Sequence, residues 1–201
     1  MIYKSDKLKR EVLRKSLHCL IAFAAPLAEI GKTAVLALLS AGAVLYAVSE
    51  ILRLKGKQVP VFKTISLITM KAARARDTGF VWGPITLAVG AILSLLLFQK
   101  PILDIAIYSL ALGDGLAGLV GQFGRLRPVF LKGKSIEGSL TCLAAVFVSA
   151  FITSGNWHIS LAAAVAATLT EAFPLKDYDN IAIPLVVGFL SLLIFIFLNY
   201  F

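Results

Sequence analysis

Long apolar runs separated by short polar segments dominate the chain, and they lead to the first prediction about its fold. A helix needs about 20 mostly apolar residues to cross the hydrocarbon core of a bilayer. Runs of this kind predict seven membrane-spanning helices, at Ser16–Ile30, Thr33–Leu52, Phe80–Phe98, Pro101–Gly121, Gly138–Ser154, Trp157–Phe173 and Ile181–Tyr200. The runs are continuous rather than alternating, which favours helices over a β-barrel. The first run is the shortest, and a cleaved signal peptide is the alternative for it.

One further segment, Val59–Asp77, mixes basic residues with apolar ones and is not a span. A basic amphipathic helix lies in the plane of the membrane interface, with its apolar face toward the acyl chains. The pattern therefore predicts one interfacial helix, and a plain surface loop is the alternative.

The composition is typical of a membrane protein. Of the 201 residues, 59% are hydrophobic and 15% are charged, whereas a soluble domain has about 45–50% and about 25%. These values exclude a soluble globular enzyme, a disordered tail and a disulfide scaffold. The two cysteines lie in apolar runs, so we expect neither a disulfide nor a zinc site. The prediction is an all-α, polytopic integral membrane protein in which residues 1–201 form a single transmembrane domain.

The net charge of +9 indicates how the chain is oriented. If the N-terminus is cytoplasmic, 18 of the 20 Lys and Arg residues fall in inside segments, and only Lys32 and Lys100 lie outside. Cytoplasmic loops of membrane proteins carry such an excess of basic residues. We therefore expect a protein of the cytoplasmic (plasma) membrane with its N-terminus inside, and no nucleic-acid partner.

An ionisable side chain inside a span is costly and is therefore a functional candidate, and three of the acidic residues inside predicted spans are our candidates. Glu50, Asp114 and Glu171 all fall in the cytoplasmic half of the predicted topology. Carboxylate oxygens at one depth are suitable ligands for Mg²⁺. The alternative is that each acid pairs with a basic neighbour, as Glu50 could with Arg53 one helical turn away.

Asp114 lies in a glycine-rich stretch, Gly113–Gly118, that is followed by Gly121. The spacing matches the G-x-G-x-x-G dinucleotide fingerprint, but that fingerprint requires a preceding strand within a soluble βαβ unit. Here a membrane span precedes it, so we interpret the glycines differently. Small residues let helices or a ligand approach the backbone, and they make a helix easy to break beside a buried carboxylate. Plain helix packing is the alternative.

A basic loop follows and leads directly into the fifth predicted span. The segment Arg125–Gly138 contains four basic residues and two glycines. The free N–H groups and the dipole of a helix N-terminus favour an anion there, and Lys132 and Lys134 would add positive charge. The Walker A spacing is absent. The segment indicates a phosphate-binding loop, and an ordinary positive-inside loop is the alternative.

Two further groups of polar residues lie at predicted cytoplasmic positions. The turn from Glu171 to Asn180 is rich in carboxylates, which beside a basic loop suggests a metal–nucleotide site. A helix cap by one of its residues is the alternative. Near the N-terminus, Arg14, Lys15 and His18 share one helix face. They could bind phosphate or assist a proton transfer, and a harmless interfacial histidine is the alternative for His18.

Four motifs result, in the order Arg14-Lys15-x-x-His18, Asp114-x-x-Ala117-x-x-x-Gly121, Lys134-Ser135-x-Glu137-Gly138-Ser139 and Glu171…Asp179-Asn180-x-x-Ile183-Pro184. Together they resemble the CTP-dependent lipid kinases. That family includes dolichol (polyprenol) kinase, phytol kinase and the CTP-using diacylglycerol kinase, and it shares a superfamily with the CDP-diacylglycerol synthases. The motifs extend over residues 14–184, which is nearly the whole chain.

The resemblance implies that one catalytic domain transfers the γ-phosphoryl group of CTP to a membrane lipid alcohol, with Mg²⁺, at the cytoplasmic face. The partners it implies are CTP, the lipid alcohol and the bilayer. The catalytic residues it implies are Arg14, Lys15, His18 and Asp114. The metal ligands it implies are Asp114, Glu171 and Asp179. The nucleotide contacts it implies are Gly118, Gly121, Lys132, Lys134, Ser135, Glu137, Gly138, Ser139 and Asn180.

Two alternative functions stay open. The first is a cytidylyltransferase of the CDP-lipid synthase type, a branch that carries a His-Gly-Gly and an Asp-Arg-x-Asp signature near its C-terminus. Neither follows Lys176-Asp177 in this chain, which favours the kinase branch. The second is a small ion- or proton-coupled transporter that uses the intramembrane acids. A transporter predicts acids over the full membrane depth, whereas the three candidates Glu50, Asp114 and Glu171 cluster toward one face.

Overall fold

A computed structural model describes residues 2–57, 59–72, 79–131, 133–173, 175 and 178–200 of the chain. These residues form helices and short connections, with no strand among them. The α-helices in chain order are α1 (Ile2–Cys19), α2 (Ala24–Leu54), α3 (Pro60–Ala72), α4 (Gly83–Leu97), α5 (Ile102–Tyr108), α6 (Gly115–Phe123), α7 (Ile136–Ser154), α8 (Trp157–Ala172) and α9 (Asp179–Tyr200). The predicted all-helical fold is confirmed.

Within the described ranges, four helical segments are long and apolar enough to cross a membrane. They are Leu8–Leu54, Ile102–Phe123, Ile136–Ser154 and Asp179–Asn199. The helix α4 is apolar but shorter. Several helices long and apolar enough to cross a membrane indicate a membrane protein, and the count of seven spans stays a prediction.

The segment Leu8–Leu54 is too long for a single crossing. Its 47 residues would extend about 70 Å as one straight helix, more than twice the hydrocarbon thickness of about 30 Å. The backbone leaves the helical region at Gly31, with φ −170° and ψ 88°. The break lies where the sequence predicts the turn between the first two spans. Beside it, Lys100 forms ion pairs with Glu29 and with Asp104.

The helix α5 occupies the centre of the packing. Ile105, Ala106 and Ile107 have no exposed surface, and the core around them also takes in side chains of α4, α7, α8 and α9. The helices α4, α7, α8 and α9 therefore pack around α5.

Close backbone contact fixes the start of α9 against α4. The side-chain Nδ2 of Asn180 donates hydrogen bonds to Thr86 Oγ1 at 2.9 Å and to the Gly83 carbonyl at 3.2 Å. A Cβ atom at Gly90 would overlap the Asn180 carbonyl oxygen. The absence of a side chain at Gly90 is therefore what lets α9 begin at this place.

The predicted interfacial helix is present as α3, within the predicted segment Val59–Asp77. The Ser49 hydroxyl of α2 donates a hydrogen bond to the Phe62 carbonyl at 2.9 Å, which ties α3 to α2. Residues 73–78 lie outside the described residues, and with them the basic positions Arg74 and Arg76 of the sequence prediction. The position of α3 at a membrane interface stays a prediction.

We expect Gly90→Ala to destabilise the protein by about 1–3 kcal/mol, the usual cost of inserting atoms into a packed contact. The matched control is Gly42→Ala, because a Cβ atom at Gly42 meets no atom within 4 Å. Thermal unfolding in detergent, followed by size-exclusion chromatography, measures both. Equal unfolding temperatures for the two variants would contradict the close contact between α4 and α9.

Candidate functional site

A buried group of three polar side chains lies between α1 and the start of α6. The Lys15 Nζ atom is 2.6 Å from Asp114 Oδ2 and 2.9 Å from the Asp114 carbonyl oxygen. His18 Nε2 is 3.2 Å from the same Oδ2 atom and 3.1 Å from the Leu110 carbonyl oxygen. All three residues are buried, with exposures of 3% for Lys15, 4% for His18 and 6% for Asp114. We call Lys15, His18 and Asp114 the Asp114 cluster.

Local structure explains why these residues meet. Lys15 and His18 are three positions apart on α1, so both point to one face. Asp114 ends a π-helical turn, Ser109–Asp114, that separates α5 from α6. Such turns are rare in proteins as a whole, but those that occur are frequently found at functional sites. A Cβ atom at Gly118 would overlap the side chain of Lys15, so this glycine provides the space in which the lysine reaches Asp114.

A second ion pair lies nearby, between Lys134 and Glu171. Glu171 is 3% exposed, and among the described residues its Oε2 atom has no hydrogen-bond partner. The charge of Lys134 also acts on the Asp114 carboxylate. The two ion pairs therefore belong to one electrostatic site.

The N-terminus of α7 is fixed beside this site. The Ser135 hydroxyl accepts a hydrogen bond from the Gly138 amide at 3.1 Å and donates one to the Gly121 carbonyl at 3.2 Å. A Cβ atom at Gly138 would lie 2.9 Å from the Ala117 carbonyl oxygen and 3.1 Å from the Gly121 Cα atom. The small residues thus let α6 and α7 pack closely on either side of the basic loop.

The basic loop before α7 is held by its own side chains. Glu137 Oε1 accepts hydrogen bonds from the backbone amides of Arg125 at 2.7 Å and Leu126 at 3.2 Å. Arg127 donates to the Gly121 and Gly133 carbonyls at 2.6 and 2.7 Å. The contacts of Glu137 are therefore with the loop itself.

The Asp114 cluster, the Lys134–Glu171 pair and the N-terminus of α7 line one large cavity of about 1330 Å³. Twelve of the fifteen site residues predicted from the sequence contribute to its lining: Arg14, Lys15, His18, Asp114, Gly118, Gly121, Lys134, Ser135, Gly138, Glu171, Asp179 and Asn180. Glu137 and Ser139 are not among the lining residues. Lys132 lies outside the described residues.

The rest of the cavity wall is mainly apolar and was not predicted. It includes Leu38, Leu39 and Ala43 of α2, Ile68 of α3, and Leu87 and Ala88 of α4. Among the described lining residues, those of α2, α3 and α4 carry no charge, and we call their part of the wall the apolar end. The charged lining residues come from α1, α8, the start of α9 and the segment from Asp114 to Lys134, and we call this part of the wall the charged end. In the sequence, an apolar residue that faces the cavity looks the same as one that faces lipid, so no local signal could have identified this wall.

Glu50 has a different role. Its carboxylate accepts hydrogen bonds from Arg53 at 2.7 and 2.9 Å and from the Val81 amide at 2.9 Å. Arg53 also donates to the Gly79 carbonyl at 2.7 Å, and the Tyr46 hydroxyl donates to the Val81 carbonyl at 2.6 Å. The alternative that Glu50 pairs with Arg53 is confirmed. The pair fixes the segment before α4, which forms part of the cavity wall.

The three acids predicted as metal ligands have contacts with the protein itself. Asp114 pairs with Lys15, Glu171 pairs with Lys134, and Asp179 Oδ1 accepts a hydrogen bond from the Leu175 amide at 2.5 Å. Within the part of the chain that the structure describes, no three His, Cys, Asp or Glu side chains form a cluster able to hold a metal ion. All three predicted ligands nevertheless line the cavity.

Comparisons with protein-family models, with curated proteins and with solved structures gave no match to this chain.

We expect Lys15→Met to be strongly destabilising, by about 3–5 kcal/mol, because it leaves the buried Asp114 carboxylate without its lysine partner. The double variant Lys15→Met with Asp114→Asn removes both charges, so it should recover part of the lost stability. A double-mutant cycle measures the coupling between the two side chains. It compares the thermal unfolding of the wild type, the two single variants and the double variant. Additive losses in the double variant would show that the two side chains are not coupled.

Proposed function

We propose that the protein is a CTP-dependent lipid-alcohol kinase, which transfers the γ-phosphoryl group of CTP to a polyprenol, phytol or other isoprenoid alcohol, or to diacylglycerol. The observation that carries the proposal is the cavity with one charged end and one apolar end. A lipid alcohol has an apolar chain and a reactive hydroxyl group, and CTP has a highly charged triphosphate. A cavity of this composition suits both substrates at once.

The proposal includes a topology of seven spans with the N-terminus in the cytoplasm. Its support is the distribution of Lys and Arg residues along the chain and the break at Gly31 within the long first segment. In this topology the charged end of the cavity faces the cytosol, where CTP is available. The apolar end faces the bilayer, from which the lipid alcohol would enter.

In phosphoryl transfer, the main contributions of a protein are to position the reacting groups and to neutralise the charge of the phosphates. Basic side chains at the charged end would bind the triphosphate: Arg14, Arg125, Arg127 and Lys134. Asp114 is the carboxylate best placed to accept the proton of the lipid hydroxyl, with His18 and Lys15 in contact with its Oδ2 atom. These contacts would orient the carboxylate and stabilise its negative charge.

The resemblance also implies Mg²⁺, and the chemistry of the cavity is compatible with it. Mg²⁺ is usually bound by one or two carboxylates together with substrate phosphates, without a complete cage of protein ligands. The buried Oε2 atom of Glu171, which has no partner among the described residues, is an oxygen of the required kind. Asp114, Glu171 and Asp179 are the residues that would hold the ion. Bound there, Mg²⁺ would neutralise charge on the phosphates.

A label-transfer assay tests the reaction. The purified protein receives Mg²⁺, a panel of lipid alcohols, and CTP labelled at either the γ or the α phosphate. We expect label in the lipid from the γ position only. Asp114→Asn should lose at least 100-fold in rate because the reacting hydroxyl loses its proton acceptor.

The matched control for this assay is Asp104→Asn. Asp104 is also a buried carboxylate paired with a lysine, but it does not line the cavity, so its variant should keep the rate of the wild type. Label from the α position would make the protein a cytidylyltransferase. A folded protein that transfers neither label would contradict the kinase and favour the transporter.

The topology has a separate test, in a variant with Cys19 and Cys142 replaced by alanine. Lys32 and Lys57 are both exposed and fall on opposite sides of the proposed membrane. In intact cells, a membrane-impermeant maleimide should label Lys32→Cys and should leave Lys57→Cys unlabelled until the membrane is opened. The reverse pattern would invert the proposed orientation.

A further inference from the structure

A second concavity, separate from the main cavity, lies between α1 and α3. It measures about 450 Å³, and its lining residues are Lys9, Arg10, Leu13, Leu67, Met70 and Lys71. None of these six residues lines the main cavity. We call this concavity the α1–α3 groove.

The groove combines positive charge with exposed apolar surface. Lys9, Arg10 and Lys71 are exposed, and no carboxylate is among the described residues that line the groove. Leu67 and Met70 keep 53% and 39% of their surface exposed. Exposed apolar side chains beside cations, in a groove with no carboxylate among its described lining residues, indicate a ligand that carries a negative charge and an apolar part.

We propose that the α1–α3 groove binds an anionic phospholipid, with the phosphate on the three cations and the beginning of an acyl chain on Leu13, Leu67 and Met70. A nucleotide lacks the apolar part, and a zwitterionic phospholipid lacks the net negative charge. The cytoplasmic leaflet is rich in anionic lipids, which basic residues at the membrane surface attract. This inference rests on the topology in the proposed function, which puts α3 at that leaflet.

The occupied groove would also support the main cavity, because the same two helices line both. The helix α1 gives Lys15 and His18 to the cavity, and α3 gives Ile68 and Thr69. A ligand that binds only when α1 and α3 lie together stabilises that arrangement by mass action. The phospholipid would therefore hold in place the helix that carries the lysine and histidine of the Asp114 cluster.

Lipid binding to the purified full chain tests the proposal. The protein is placed in detergent micelles and titrated with phosphatidylglycerol or with phosphatidylcholine, and native mass spectrometry counts the bound lipids. We expect the wild type to prefer phosphatidylglycerol at least tenfold. The triple variant Lys9→Gln, Arg10→Gln, Lys71→Gln should lose that preference, since each basic residue near the surface contributes measurably to anionic lipid binding.

The matched control removes the same charge elsewhere on the same side of the proposed membrane. It is the triple variant Lys55→Gln, Lys57→Gln, Lys63→Gln, whose three positions are exposed and outside the groove. The control should keep the preference. Equal losses in both triple variants would reduce the effect to general charge attraction and overturn the site, as would a groove variant that still prefers phosphatidylglycerol.

A further variant separates the phospholipid from a free phosphate ligand. Leu67→Gln with Met70→Gln leaves the three cations in place, so it should weaken phosphatidylglycerol binding, and glycerol phosphate should not compete in the wild type. Competition by glycerol phosphate would make the groove a phosphate site instead. No CTP or lipid alcohol is present in these measurements, so their outcome is independent of the kinase activity.

Discussion

The burial of the Asp114 carboxylate is the constraint on which the arrangement of helices around the cavity depends. A charge in an apolar interior is costly unless a partner compensates it. Lys15 provides that partner at 2.6 Å, from a helix 99 positions earlier in the chain. Gly118 leaves room for the lysine side chain in this position. The first helix must therefore lie against the start of α6, and the cavity forms where these helices meet.

The other buried acids obey the same rule in two different ways. Glu50 pairs with Arg53, and Asp104 pairs with Lys100, both within about one helical turn. Glu171 pairs with Lys134, 37 positions away, as Asp114 pairs with distant Lys15. The local pairs stabilise a turn or a helix end, and neither acid lines the cavity. The long-range pairs join α1 to Asp114 and the loop before α7 to α8, and both of their acids line the cavity. Among these four buried acids, sequence separation thus distinguishes the two that line the cavity from the two that do not.

This distinction explains how much could be predicted from the sequence. The helices α7 and α9 nearly coincide with the predicted spans Gly138–Ser154 and Ile181–Tyr200, because an uninterrupted apolar run determines a helix locally. The pairing of Glu50 with Arg53 could also be predicted locally, because the two residues are about one helical turn apart. The lysine partner of Asp114 could not, since no basic residue is close to it in the chain. The loop contacts of Glu137 and the apolar wall also depend on tertiary packing, which residue patterns do not encode.

The two ion pairs of the cavity are also compatible with the proposed binding of a polyanion. Lys15 and Lys134 neutralise Asp114 and Glu171, so these charges are balanced within the protein. In the proposed function, a triphosphate would offer its oxygens to the lysines, and the released carboxylate oxygens would suit a divalent cation. Every buried charge would keep a partner before and after binding. Ion pairs between distant segments of the chain can therefore stabilise the cavity and, in the proposed function, be exchanged for contacts with the substrate.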